Sequence, residues 1–153
     1  MNMARNQNVK RQHFIAPFSA TAPRESEYLR LAQYITNIAP NNEEEAESEA
    51  YYHGDGTPET TVTSVSKGYD VEGYYDPTDA AQALIAGLEL KTLDHRKIWH
   101  KVISADGETI FEGVATLTDI VCGGGEASEF EEFSCTIKYD RIPNVNQGSN
   151  NED

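Results

Sequence analysis

His95 and His100 flank Trp99 in the run LDHRKIWHK, and a metal site would need them grouped with carboxylates or thiols. The run reads as a strand, where residues five apart point to opposite faces, so the two imidazoles do not share an ion. They read as ordinary strand or loop histidines. Asp55, Asp70, Asp76 and Asp79 could suggest calcium, but no loop of alternating acids, glycine and closing glutamate contains them. Asp76 and Asp79 are accounted for as helix-start residues. Gly123, Gly124 and Gly125 lack the Gly-Lys-Ser/Thr ending of a phosphate loop and precede a strand rather than a helix, so they read as a flexible connection. No serine sits in a nucleophile elbow, and neither Cys122 nor Cys135 has an electropositive setting. The cysteines form no CxxC pair and read as small core residues on neighbouring strands, kept as free thiols after cytosolic synthesis. No catalytic set emerges. A non-enzyme without cofactor or metal is expected.

The elements around these residues must come from 153 residues, which suits one domain. A chain of this length buries roughly 70% of its unfolded surface and needs no disulfide. The 12 Lys+Arg against 26 Asp+Glu leave a net charge of −14, which argues against tight binding of nucleic-acid phosphates. No signal-like start and no long apolar run are present, so no membrane partner is expected.

Residues 1–27 have little periodicity and read as an extended N-terminal arm. It carries Arg5, Lys10, Arg11 and Arg24 and an apolar cluster of Phe14, Ile15 and Phe18. Those three must be buried against the chain's own domain or another subunit. Residues 28–38 fit a helical stripe or a strand, and the β-branched end favours strand. Residues 40–59 read as a loop with a self-repelling, solvated run from Glu43 to Glu49. Strands follow in TTVTSVS and GYDVEGYY. A helix is expected over about 77–90, with Asp76 as N-cap, Pro77 at its first position, and Ala80, Ala83, Leu84 and Leu88 on one face. Asp106-Gly107 marks a hairpin, with a return strand broken near Gly113. In EFSCTIKYD, Phe133, Cys135, Ile137 and Tyr139 share one face. Residues 144–153 read as a polar, mobile tail. The expected fold is mainly β, a β-sandwich or rolled sheet with one flanking helix, its domain spanning 28–143.

From about Tyr28 to Pro143 the chain resembles the major tail tube proteins of siphophages, the phages with long non-contractile tails. The resemblance rests on the order of YLRLAQYITNI, YYHGDGT, GYDVEGYYDPTDAAQALI, FEGVATLTDI, GGGEASEF and a closing strand that runs through Ile142-Pro143. It implies a β-sandwich with one helix, rings, usually hexameric, stacked into a tube, and arms and a loop that reach neighbouring rings. It also implies tape measure, terminator and tip proteins as partners, a virion location after assembly in the host cytoplasm, and DNA passing through without specific binding.

A conduit must not hold DNA, so its lining should be acidic or hydroxylated. Glu112, Thr116, Thr118, Asp119 and Glu131, with Thr61 and Thr63, are the expected lumen-facing residues, although a one-residue shift of register exchanges the set. Phe14, Ile15 and Phe18 are expected at subunit or ring contacts, and Glu43, Glu44, Glu45, Tyr51 and Tyr52 in the loop between rings. The alternatives are a tail terminator, a contractile-tail inner tube, or a β-sandwich binding module.

Overall fold

The computed structural model describes residues 7–147. Arg5 and residues 148–153 of the expected tail lie outside that range. The chain is mainly β with one α-helix, as its alternating patterns indicate, and it takes the rolled-sheet form.

Among the described residues ten strands occur in chain order: β1 (Gln12–Pro17), β2 (Leu29–Arg30), β3 (Ile35–Pro40), β4 (Glu43–Glu49), β5 (Glu59–Ser66), β6 (Gly68–Tyr74), β7 (Lys97–Ile103), β8 (Thr109–Cys122), β9 (Glu132–Tyr139) and β10 (Asn144–Gln147). The main sheet runs β2-β1-β7-β8-β9-β6-β3, with β10 beside the first part of β8. Every pairing is antiparallel. Strands β2 and β3 close opposite ends of this path, yet only residues 31–34 join them. Four linking residues reach no more than roughly 18 Å, so the sheet must curl until its two ends approach. A cavity of about 300 Å³ remains between those ends, lined by Arg11, His13, Arg30, Leu31, Ile35 and Ile38, among others.

The core fills the inner face. Phe133, Cys135, Ile137 and Tyr139 point inward from β9 as their spacing dictates, and meet Ile15, Ile98, Val102, Ala115, Leu117, Tyr69 and Val71. Helix α1 (Ala80–Ala86) covers this face, packing on β8, β1 and β2 through Ala81 and Ile85.

Several expectations are corrected. The arm contains a strand: β1 pairs with β7 along its whole length, and Ile15 is fully buried in its own domain's core. The helix starts at Ala80, not Pro77, because the Asp76 carboxylate is occupied by Thr78 N and Thr78 Oγ1 at 3.0 and 2.7 Å. Asp79 caps instead, accepting from Gln82 N at 3.1 Å. The helix ends at Ala86, and its buried face is Ala81, Gln82 and Ile85, with Leu84 and Leu88 packed only partly against the core. Because this helix is apolar nearly all round, its sequence left the docking face open.

The expected loop at 40–59 contains β4, which pairs with β5 in a separate two-stranded hairpin. Pairing satisfies the backbone while every β4 side chain stays exposed, so the glutamates remain solvated in a strand. Residues 28–38 form two short strands rather than one, separated by a turn with Tyr34 at φ 60°. Strand β8 runs through Gly113, where Pro143 and the Tyr139 ring come too close for a larger residue to fit easily. Its irregularity falls between Thr118 and Val121, with Asp119 at φ 54°. The start of the expected tail is β10.

Candidate functional site

Cys135, His13 and His100 are buried, and Cys122 packs partly against the core. Burial pushes Cys122 up to about 11 and Cys135 up to about 12, so both remain protonated. Both are free. His95 is exposed in a short 3-10 turn (Leu93–Arg96) ahead of β7 rather than on the strand, and His100 is fully buried on β7. Among the described residues, no three His, Cys, Asp or Glu side chains gather to hold a metal. No helix there is long and apolar enough to cross a membrane.

Side chains on the outer face of the sheet follow from the strand register. Thr116 stands opposite Lys97 and Lys138, and Thr118 opposite Thr136, which in turn faces Asp70. Glu112 stands opposite Lys101. This register therefore brings together Glu112, Thr116 and Thr118. It also adds Lys97, Lys101 and Lys138, which were absent from the expected set.

Most of these groups are engaged. Lys97 pairs with Asp140, and Thr116 Oγ1 donates to Asp140 Oδ1 at 2.7 Å. Thr136 Oγ1 donates to Asp70 Oδ1 at 3.0 Å. Tyr28 donates to Glu112 Oε2 at 2.6 Å, and Lys101 lies 4.7 Å from the Tyr28 ring centroid. Around Thr116 and Thr136 the face is thus a charge-paired polar network rather than an open acidic strip, while Trp99 and Val114 give it an apolar patch nearer β1. Asp119 is exposed at the bulge, and Glu131 precedes β9. Thr61 and Thr63 lie on β5, outside the main sheet, and Thr63 Oγ1 donates to Glu45 O at 3.1 Å.

The β4–β5 hairpin carries Glu43, Glu44 and Glu45 on one strand, with Tyr51 and Tyr52 in the turn that joins the two. Tyr52 is fully exposed, and Val62 and Val65 are each more than half exposed. Lys138 approaches Glu43 at 3.8 Å where the hairpin joins the sheet. Phe14 is half-buried under Lys101 and Tyr28, while Phe18 is 46% exposed.

Two residues that the sequence did not single out organise the interior. Gln82 is fully buried because its amide serves three backbone groups: it accepts from Asp76 N at 2.7 Å and donates to Gln33 O and Tyr74 O, both at 3.0 Å. His13 meets His100 across β1 and β7. A lone glutamine in an apolar helix run was the available signal for the first. Nothing local signalled the second.

No family model matches the chain, and no curated protein matches it. Solved structures do. A chain from the tail of an empty GTA particle, obtained by helical refinement with C6 symmetry, is 14% identical with a TM-score of 0.68. That match covers 92% of this chain and 98% of the other. A chain from the virion of a native gene transfer agent (GTA) particle is 12% identical with a TM-score of 0.64, covering 94% and 98%. The likeness is one of fold, and it takes in nearly the whole of both partners.

Proposed function

We propose that this chain is a non-enzymatic structural subunit of a phage-like tail tube of the siphophage type. Copies close side by side into rings, six to a ring, and the rings stack into the conduit through which DNA leaves the particle. The observation that carries this reading is the fold shared over nearly full length with a chain of a C6-symmetric tail. Two features support it. The β4–β5 hairpin projects exposed tyrosines and valines that its own domain leaves uncovered. The part of the outer face around Thr116 and Thr136 is polar and largely charge-paired, as a surface that must not grip phosphates requires.

In this reading the hairpin, with Glu43, Glu44, Glu45, Tyr51 and Tyr52, reaches the next ring. Phe14 and Phe18 lie at subunit contacts. Glu112, Thr116 and Thr118 face the lumen, with Asp119 and Glu131 near its rim. A tape measure protein and terminator and tip proteins are the partners, and the assembled subunit resides in the virion tail. Negative-stain microscopy of the purified protein at several concentrations tests the reading. Stacked rings or tubes are expected. Single rings would instead favour a terminator, and a persistent monomer would overturn the proposal.

A further inference from the structure

His13 and His100 are the polar exception in an apolar core. His13 Nδ1 lies 3.4 Å from His100 Nε2, and His100 Nδ1 lies 2.6 Å from the Tyr139 hydroxyl. Tyr69 from β6 stands edge-on to His13, with ring centroids 5.0 Å apart, and 5.5 Å from His100. The cluster therefore ties β1, β7, β9 and β6 together. Only one proton fits between the facing nitrogens of the two rings, because a second would set N–H against N–H. The pair is satisfied with both rings neutral, and His100 is completely enclosed.

The surroundings offer a positive charge nothing to pair with. Arg11 just before β1 and Lys67 just before β6 both act against protonation of His13, and Lys67 acts against His100 as well. Lys67 Nζ lies 5.0 Å from the Tyr69 ring centroid and 4.8 Å from that of Phe111 on β8. Arg30 on β2 lines the adjoining cavity. From β9 the facing group is the Tyr139 phenol. The nearby carboxylate of Glu112 acts on Tyr139 and is held by Tyr28. Burial first, then Arg11 and Lys67, lower His13 from 6.5 to about 4; burial first, then His13 and Lys67, hold His100 well below its ordinary value.

The two histidines differ in access. His13 lines the cavity between the two ends of the curled sheet, whereas His100 does not. Strand β1 is also weakly held on its outer side, where β2 contributes only two paired residues. Its main partner is β7, at the site of the imidazole pair.

We propose that the His13–His100 pair is an acid-responsive latch, which locks β1 onto β7 while both rings are neutral and releases β1 when a proton enters from the cavity. The rest of the sheet, β6 through β9, stays paired. This inference goes beyond the tube reading and does not depend on it. The sign follows from linkage. A base that binds its proton less readily in the closed state favours the opened state as pH falls below its ordinary value. The effect ends once pH passes the lowered value.

Amide hydrogen exchange of the full chain, expressed as protection factors at each pH, tests the latch. Protection of residues 12–16 should fall by about tenfold per pH unit between about 6.5 and about 4, while that of residues 132–139 holds. His13→Gln, which keeps a donor and an acceptor but cannot charge, should flatten this dependence. Imidazole NMR of the unaltered protein gives a second measurement should that variant not fold, and His13 should stay neutral well below pH 6.5. Titration of His13 at its ordinary value, pH-independent protection of 12–16, or parallel loss in 132–139 would each overturn the proposal.

Discussion

Tyr28 and Glu112, 84 residues apart in sequence, are joined by a 2.6 Å hydrogen bond from the phenol to Glu112 Oε2. The bond pins the chain just before β2 to the outer face of β8, and it occupies a carboxylate that would otherwise stand free in the candidate lumen.

Tyr28→Phe should therefore destabilise the fold by about 1–2 kcal/mol, the lower part of the range for bonds to charged groups, since the pair is only half-buried. Burial first, and then Glu112, raise the ionisation of Tyr28 above its ordinary value of 10.0. A raised value means that this contribution is intact below pH 10 and is lost as pH climbs further. Urea unfolding on both sides of pH 10 should show a steeper alkaline loss in the unaltered protein than in the variant. Equal slopes would disprove the assignment.

Gln82→Leu keeps the size of the side chain but strands Asp76 N, Gln33 O and Tyr74 O inside the protein. Each unsatisfied buried group costs about 1–3 kcal/mol, so this near-isosteric change should cost at least about 2 kcal/mol by chemical denaturation. A neutral outcome would mean that water replaces the amide.

Deleting residues 1–22 removes β1, bares the edge of β7 and takes Ile15 from the core. The remaining sheet, β6 through β9, should still unfold cooperatively but at a markedly lower temperature, which calorimetry would register. A milder change separates folding from assembly. Phe18→Ser should alter stability by less than about 1 kcal/mol, as expected at an exposed site, yet reduce tube formation seen by microscopy. Unimpaired tubes would remove Phe18 from the interface.

Tyr52→Ala should likewise leave thermal stability unchanged within about 0.5 kcal/mol, because the ring touches little within its own domain. Sedimentation should show polymerisation shifted to higher protein concentration. Identical polymerisation would exclude this residue from ring stacking.

Copies of a chain of net charge −14 repel one another. Raising salt toward about 0.5 M should lower the concentration at which polymers form, because the screening length shrinks to a few ångströms. Light scattering across a salt series would reveal the opposite trend if basic contacts dominated.

What the sequence determined by itself was local. The alternation of Phe133, Cys135, Ile137 and Tyr139 settled which side of β9 is core, because a strand turns successive side chains to opposite faces. Asp106-Gly107 located the β7–β8 hairpin, since Gly107 adopts a φ of 79° that most residues avoid. Tertiary structure alone decided the rest. Glu43–Glu49 became a strand because β5 lay alongside to satisfy its backbone, a fact absent from a run of like charges. Asp79 displaced Asp76 as the cap because Thr78 had already taken the Asp76 carboxylate. Ile15 entered the core, and His13 met His100, only because β1 pairs with β7, more than eighty residues away. Periodicity and turn chemistry are written within a few residues. Strand pairing, register and burial depend on what the remainder of the chain places opposite.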